Sequence, residues 1–431
     1  MNILLIGGGG REHAMAWKIG QSPLCERLYI APGNAGTGLC GENININPLD
    51  KEAVGSFVLE KDVQMVVVGP EEPLVKGLGD YFSGSEKLRD ILFVGPSSKG
   101  ARIEGSKSFA KEFMQRHGIP TAAYRSFTRD TVEEGVDFLK SLDPPYVLKA
   151  DGLAAGKGVI ICSSEGEAVG TLMEMLCEDK FGEASSTVVI EEFLEGVEMS
   201  VFVITDGRAY TMLPSAKDYK RVGEKDTGAN TGGMGAVSPV PFAGPELMGR
   251  IEESIIKPTV NGLYKDNIPY CGFIFFGLMI SGGMPYVIEY NVRLGDPEAE
   301  VILPRLESDL VELMQAACRG RLSEHRAIIS PRYALTVILA SGGYPGDYKK
   351  GFEITGKGDV REGTLFYSGV KSQDGRLLTS GGRVIAVTSL GGSLEEAMDR
   401  TYRNAAAVDF RGMYYRRDIG RDLLKKPYNN H

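Results

Sequence analysis

The chain alternates short apolar runs with glycine-rich or polar stretches. Asn2-Ile-Leu-Leu-Ile-Gly-Gly-Gly-Gly-Arg-Glu-His13 predicts a buried strand, a glycine turn and a helix running to about Ile19. Three more strand-plus-loop units follow at 28–30, 65–68 and 92–94. Their loops are Pro32-Gly-Asn-Ala-Gly36, Gly69-Pro-Glu-Glu72 and Gly95-Pro-Ser-Ser98. Apolar strands alternating with helical stretches predict a parallel α/β sheet, Rossmann-like, over residues 1–104. Ligands of such sheets gather at the carboxyl ends of the strands, where all these loops fall.

Beyond residue 104 the pattern changes. Residues 106–117 predict a helix with an apolar stripe at Phe109, Ala110 and Phe113, stopped by Gly118 and Pro120. Strands are expected at 145–150 and 159–162, around Asp151-Gly-Leu-Ala-Ala-Gly-Lys-Gly158, and again at 188–195, 199–205 and 210–212. Residues 216–236 form a polar, glycine-rich stretch too long for a simple turn; such loops in compact domains are usually functional or disordered. Two further strands, 273–280 and 285–288, are broken at Gly282-Gly283. Helices are expected at 257–265 and 308–317, the second with Leu310, Leu313, Met314 and Ala317 on one core-facing side. The last hundred residues predict strands at 333–340, 364–370 and 383–388. A capping box, Ser393-Leu-Glu-Glu396, then opens a helix with Leu394, Ala397, Met398, Thr401, Tyr402 and Ala405 along one face.

Composition narrows the class. A chain of 431 residues holds two to four domains, and 42% hydrophobic with 24% charged residues is ordinary for a globular protein. A net charge of −9 argues against a general nucleic-acid binder, although local cations and backbone N–H groups still hold small anions. No apolar run approaches the roughly 18 residues that span a bilayer, and the N-terminus lacks a signal-peptide pattern. The six cysteines contain no CxxC pair, which argues against a zinc site or a disulfide framework and fits a reducing, cytoplasmic setting. The four histidines do not cluster.

The densest chemistry lies in Glu289-Tyr-Asn-Val-Arg-Leu-Gly-Asp-Pro-Glu298. Residues two apart on a strand share a face, so Glu289, Asn291 and Arg293 present a carboxylate, a carboxamide oxygen and a guanidinium together. The first two suit Mg²⁺, and the third is a fork for phosphate or carboxylate. Asp296 and Glu298 add two acids at the following turn. Lys107, in the first turn of its helix, opposes the macrodipole and is better tolerated facing an anion. The loop 151–158 joins two strands and does not open a helix with Gly-Lys-Ser/Thr, so it is a glycine-rich hairpin and not a Walker loop.

These segments resemble the ATP-grasp ligases and, through residues 216–236, the phosphoribosylamine–glycine ligase family, over essentially the whole chain. The resemblance implies an α/β and α+β multidomain protein: a phosphosugar-binding domain at 1–104, an ATP-grasp domain at 105–325 with a lid at about 121–190, and a small α+β domain at 326–431. It implies a cytoplasmic monomer with small-molecule substrates and neither nucleic acid nor membrane as partner. ATP would convert glycine to glycyl phosphate, and the amine of 5-phosphoribosylamine would displace the phosphate, a step of de novo purine synthesis. Lys107, Lys149, Gly152, Gly156, Lys157, Gly158, Glu191, Leu194 and Glu198 would bind ATP. Glu289 and Asn291 would hold Mg²⁺ or Mn²⁺, and Arg293 would stabilise the acyl phosphate. Asp218, Lys220, Asp296 and Glu298 would orient glycine and the phosphosugar. Gly9, Asn34, Ala35, Gly69, Pro70 and Glu71 would bind the phosphosugar. The chain departs from the family at Tyr219, where many members have His. It departs from many ATP-grasp enzymes at Phe276-Gly277-Leu278, where a metal-binding carboxylate is common. The competing readings are another ATP-grasp carboxylate–amine ligase, a nucleotide-binding regulator and a dehydrogenase. Gly7 and Gly9 fit the start of a dinucleotide fingerprint, but Glu12 stands at its last glycine.

Overall fold

The computed structural model describes residues 1–154, 158–178 and 180–424. Strands β1 (Asn2–Gly7), β2 (Arg27–Pro32), β3 (Glu42–Asn43), β4 (Val63–Val68) and β5 (Leu92–Val94) form an all-parallel sheet in the order β3-β2-β1-β4-β5. Ile3 to Ile6 of β1 are fully buried, as expected of a strand covered on both faces. The order reverses between β1 and β4, which puts their carboxyl ends beside the crevice where ligands enter such sheets.

A second unit is built from β6 (Tyr124–Thr128), β7 (Tyr146–Ala150), β8 (Val159–Cys162) and β9 (Thr187–Glu192), antiparallel in the order β6-β9-β7-β8. Helices Val132–Lys140 and Glu165–Cys177 cover one face and close a core of its own around Phe127, Leu148, Leu172 and Ile190. The central sheet, in the order β11-β10-β16-β17, uses β10 (Val197–Thr205), β11 (Tyr210–Met212), β16 (Gly272–Ser281) and β17 (Met284–Asn291). Its β16–β17 turn is Gly282-Gly283, both at positive φ (53° and 76°), the geometry that a two-residue hairpin demands.

Three expectations are corrected. The stretch 216–236 is not structureless. It folds as β12 (Lys217–Asp218), β13 (Arg221–Gly223), β14 (Thr227–Asn230) and β15 (Gly235–Ser238). β13 and β14 pair with each other, while β12 and β15 join the C-terminal sheet, which runs β12-β15-β18-β22-β19. Its other members are β18 (Tyr333–Ser341), β19 (Gly363–Tyr367) and β22 (Arg383–Gly391), with β23 (Met413–Tyr414) paired to β18. The strand expected at 364–370 ends at Tyr367, because the chain crosses the Gly381 backbone at Gly369 so closely that a Cβ there would lie 2.5 Å from Gly381 Cα. A separate hairpin, β20 (Val370–Gln373) and β21 (Arg376–Thr379), follows. The cap of helix Leu394–Ala407 is also not a strict capping box. Ser393 Oγ accepts from the Glu396 N–H at 3.2 Å, but the Glu396 carboxylate takes the N–H of Gly392 at 2.6 Å, one residue before the cap.

Leu148 is fully buried in the core of the second unit, so Leu148→Ala is expected to cost about 2–5 kcal/mol in urea unfolding. Met173→Ala, at an exposed position of the same unit, should change stability by less than about 0.5 kcal/mol. Equal effects would show that the unit lacks an independent core.

Candidate functional site

A cleft of about 860 Å³ opens between the second unit and the central sheet, with contributions from helices of the N-terminal part and from the C-terminal sheet. Its floor is β17. Glu289 pairs with Gly277 and Val287 with Leu278, so Ile288 is bulged out of register. The alternation then sends Val287, Tyr290 and Val292 into the core, and Glu289, Asn291 and Arg293 to the other face. Arg293 donates to Asn291 Oδ1 at 3.1 Å across that face. Gly277 leaves space for this arrangement: a Cβ there would lie 2.8 Å from Glu289 Cγ.

One wall carries lysines. Helix Lys107–Arg116 contributes Lys107 and Lys111, one turn apart on the same side, and β7 contributes Lys149. Glu191 is 2% exposed and holds both Lys111 and Lys149 at 2.9 Å. Burial pushes its carboxyl up, but the two ammonium groups outweigh that and hold it below the usual range. Burial also pushes Lys111 down to about 8, against the pull of Glu191. Lys149 donates to the carbonyl of the bulged Ile288 at 3.1 Å, which ties this wall to β17. The helix start is compensated by Asp151, which accepts from the Ser108 N–H at 2.6 Å, while Lys107 reaches the Gly152 carbonyl at 3.2 Å.

The opposite wall mixes acids with Lys217 and Lys220. Lys220 lies 2.9 Å from Glu198 and 3.6 Å from Glu289. Burial lowers the Lys220 ammonium, but Glu198, Asp218 and Glu289 together raise it well above the usual lysine range. Asp218 is raised by burial, with Lys220 opposing. Glu298 is 4% exposed, and burial, with Asp218 beside it, pushes its carboxyl up to about 8. Arg293 stands between Glu104 (2.8 Å) and Glu71 (3.4 Å). Burial pushes Glu104 up to about 7. Arg383 from the C-terminal sheet pairs with Asp296 at 2.9 Å.

The cleft therefore gathers Lys107, Lys149, Gly158, Glu191, Glu198, Asp218, Lys220, Glu289, Asn291, Arg293, Asp296, Glu298 and Glu71. Gly156 and Lys157 lie outside the described residues. Leu194 and Gly152 are not part of the lining; Gly152 packs so closely on Ala184 that a Cβ would meet its Cα at 2.9 Å. Of the six N-terminal candidates, only Glu71 reaches the cleft. The glycine turn is filled by the chain itself: Cβ atoms at Gly7 and Gly69 would lie 2.4 and 2.2 Å from the Glu12 side chain, and Gly9 N–H donates to Glu12 at 2.6 Å. Pro70 directly precedes helix Glu71–Val75. Asn34 is committed to the backbone of Gly8 (2.9 Å) and Tyr367 (2.7 Å), while Ala35 N–H donates to Val370. These residues tie the N-terminal sheet to the C-terminal part. Lys111, Glu104, Arg11 and Arg383 line the cleft and are not among the sequence candidates. Lys111 was legible as the residue one turn beyond Lys107; the others carried no local signal.

Glu289 and Asn291 offer a carboxylate and a carboxamide oxygen on one face, opposite lysines. This donor set fits a divalent cation that takes its remaining oxygens from nucleotide phosphates.

Lysines on one side of a cleft between two antiparallel sheets, facing oxygen ligands on a strand of the other, define the ATP-grasp class. Residues 105–299 match the family model for the ATP-grasp (A) domain of phosphoribosylglycinamide synthetase, residues 1–104 its N domain and residues 334–422 its C domain. A phosphoribosylamine–glycine ligase of Pasteurella multocida is 48% identical over 434 residues, covering 100% of both chains. The Haemophilus influenzae ligase is 49% identical, over 97% of this chain and 98% of its own. The crystal structure of the Thermotoga maritima phosphoribosylamine–glycine ligase has a TM-score of 0.84 at 36% identity, covering 97% of this chain and all of that one. The chain belongs to the phosphoribosylglycinamide synthetase family.

The folded state keeps a proton on Glu298 up to about pH 8, whereas an ordinary glutamate loses it near 4.5. Its contribution to stability is therefore present below 4.5 and is lost as pH rises through about 8. Glu298→Gln removes that loss, so the variant should gain stability relative to the parent between pH 5 and pH 9 in urea unfolding. Glu104 contributes equally to both proteins and cancels. A difference that does not vary with pH would sink the assignment.

Proposed function

We propose that this protein joins glycine to 5-phosphoribosylamine at the expense of ATP, giving glycinamide ribonucleotide, ADP and phosphate. A glycine carboxylate oxygen bonds to the γ-phosphorus as the bond to ADP breaks, and glycyl phosphate forms. The phosphoribosylamine nitrogen then bonds to the acyl carbon, loses a proton, and inorganic phosphate leaves. Such chemistry needs positioned groups and neutralised phosphoryl charge more than covalent help from the protein.

The observation that carries the reading is the single cleft that sets Lys107 and Lys149 opposite Glu289, Asn291 and Arg293. In this reading the two lysines hold the ATP phosphates, with Lys111 and Glu191 keeping Lys149 in place. Gly158 lies at the loop that covers the triphosphate, and the chain at Glu191 and Leu194 reads adenine through backbone groups, with Glu198 on the ribose. Glu289 and Asn291 hold Mg²⁺ or Mn²⁺, which spreads phosphate charge when bound. Arg293 turns from its carboxylate partners toward the acyl phosphate. Asp218, Lys220, Asp296 and Glu298 orient glycine and the phosphosugar, with Glu71 facing the same space. Gly9, Asn34, Ala35, Gly69 and Pro70 shape the phosphosugar rim through the backbone. The six free cysteines support a reducing, cytoplasmic setting.

Phosphate release should require ATP, glycine and phosphoribosylamine generated in the same tube. Release that ignores the phosphosugar but answers to another amine would overturn the substrate and leave the ATP chemistry. Glu289→Ala is expected to abolish turnover with an unchanged circular dichroism spectrum, and near-parental activity would remove Glu289 from the metal site.

A further inference from the structure

Lys217, Asp218, Tyr219 and Lys220 run along one extended stretch, and alternate residues face opposite ways. Asp218 and Lys220 face the acids of the cleft. Lys217 and Tyr219 turn to the C-terminal segment: Lys217 Nζ lies 2.9 Å from Asp422, and Tyr219 Oη donates to the same carboxylate. Gly420 N–H donates to Tyr219 Oη at 3.1 Å, and Tyr219 is 2% exposed. The position that departs from the family's common His is thus a buried joint.

The grip continues past Lys220. Arg416 is 1% exposed, and four of its five guanidinium N–H groups are hydrogen-bonded. Nε and Nη2 each donate to Asp418 at 2.9 Å, while Nη1 reaches Asp226 at 2.7 Å and the Arg221 carbonyl at 3.0 Å. Asp418 also accepts the Lys225 N–H at 2.7 Å, and Tyr414 Oη donates to the Val222 carbonyl at 2.8 Å. Contacts from this short segment therefore fall before, on and after the Asp218–Lys220 pair. A guanidinium so removed from water needs partners of this kind. Its fork also fixes direction, which a flexible ammonium does not.

We propose that residues 414–422 are a brace that sets the positions of Asp218 and Lys220, with Arg416 and Asp422 as positioning residues for the ligase reaction. This rests on the reading in which Asp218 and Lys220 orient the substrates. Arg416 is outside the cleft lining and reaches the chemistry only through the 217–226 stretch, whereas Asp422 also stands at the edge of the cleft. Loosening the brace shifts the Asp218–Lys220 pair and leaves the lysines at the ATP phosphates, which sit on other elements, where they are.

The test is a cycle on the full-length enzyme: Arg416→Ala, Lys220→Ala and the double variant, with Asp422→Asn as an independent perturbation that keeps the shape of its side chain. Arg416→Ala and Asp422→Asn should each lower kcat by about 10- to 100-fold while leaving KM for ATP within about twofold. In the Lys220→Ala background, Arg416→Ala should lower kcat by clearly less than it does alone, because one of the two groups it acts through is gone. Arg416→Lys should recover only part of the loss. Unchanged kcat in both Arg416→Ala and Asp422→Asn, or a loss that multiplies in full on Lys220→Ala, would overturn the brace. If Arg416→Ala does not fold, the same cycle with Asp422→Asn decides. Full activity of Lys220→Ala would instead overturn the underlying reading of Lys220, a result distinct from failure of the brace.

Discussion

Charge compensation governs this cleft. Its strongest cations and acids sit where water is scarce, and an unpaired buried charge costs several kcal/mol. The structure meets this by pairing: Lys111 and Lys149 share Glu191, Lys220 lies beside Glu198, Arg293 stands between Glu104 and Glu71, and Arg383 holds Asp296. Each pair joins groups from different elements. The cations are consequently held in place before any phosphate arrives, and binding exchanges carboxylate partners for phosphate oxygens with little rearrangement of long side chains. Burial still pushes the carboxyls of Glu104 and Glu298 upward, to about 7 and about 8, against the pull of Arg293.

β17 makes this pairing possible. Its apolar face anchors the strand through Val287 and Tyr290, and the bulge at Ile288 sets which residues face outward. The same bulge frees the carbonyl that Lys149 uses. One local irregularity thus links the floor of the cleft to its lysine wall.

The N-terminal glycines serve a different purpose from the one their spacing suggests. Glycine turns admit close approach, and here the approaching group is Glu12, paired with Arg11 at 2.6 Å. Local pattern reveals that space is available but not what fills it. The same limit applies to Asn34, whose side chain looks free for a ligand in the sequence and is spent on the backbone of two separate sheets.

Sequence by itself determined the parallel N-terminal sheet, most strand and helix positions, and the shared face of Glu289, Asn291 and Arg293. These follow from side-chain period and from glycine and proline punctuation, which act over a few residues. Only the tertiary structure decided that 216–236 divides between a hairpin and the C-terminal sheet, that Arg416 grips it, and that Arg383 and Glu104 reach the cleft. It likewise brought the sulfurs of Cys271 and Cys318 to 3.3 Å. Each of these contacts joins residues far apart in the chain. Such pairings are set by how sheets stack and which buried charges find partners, and no local period records them.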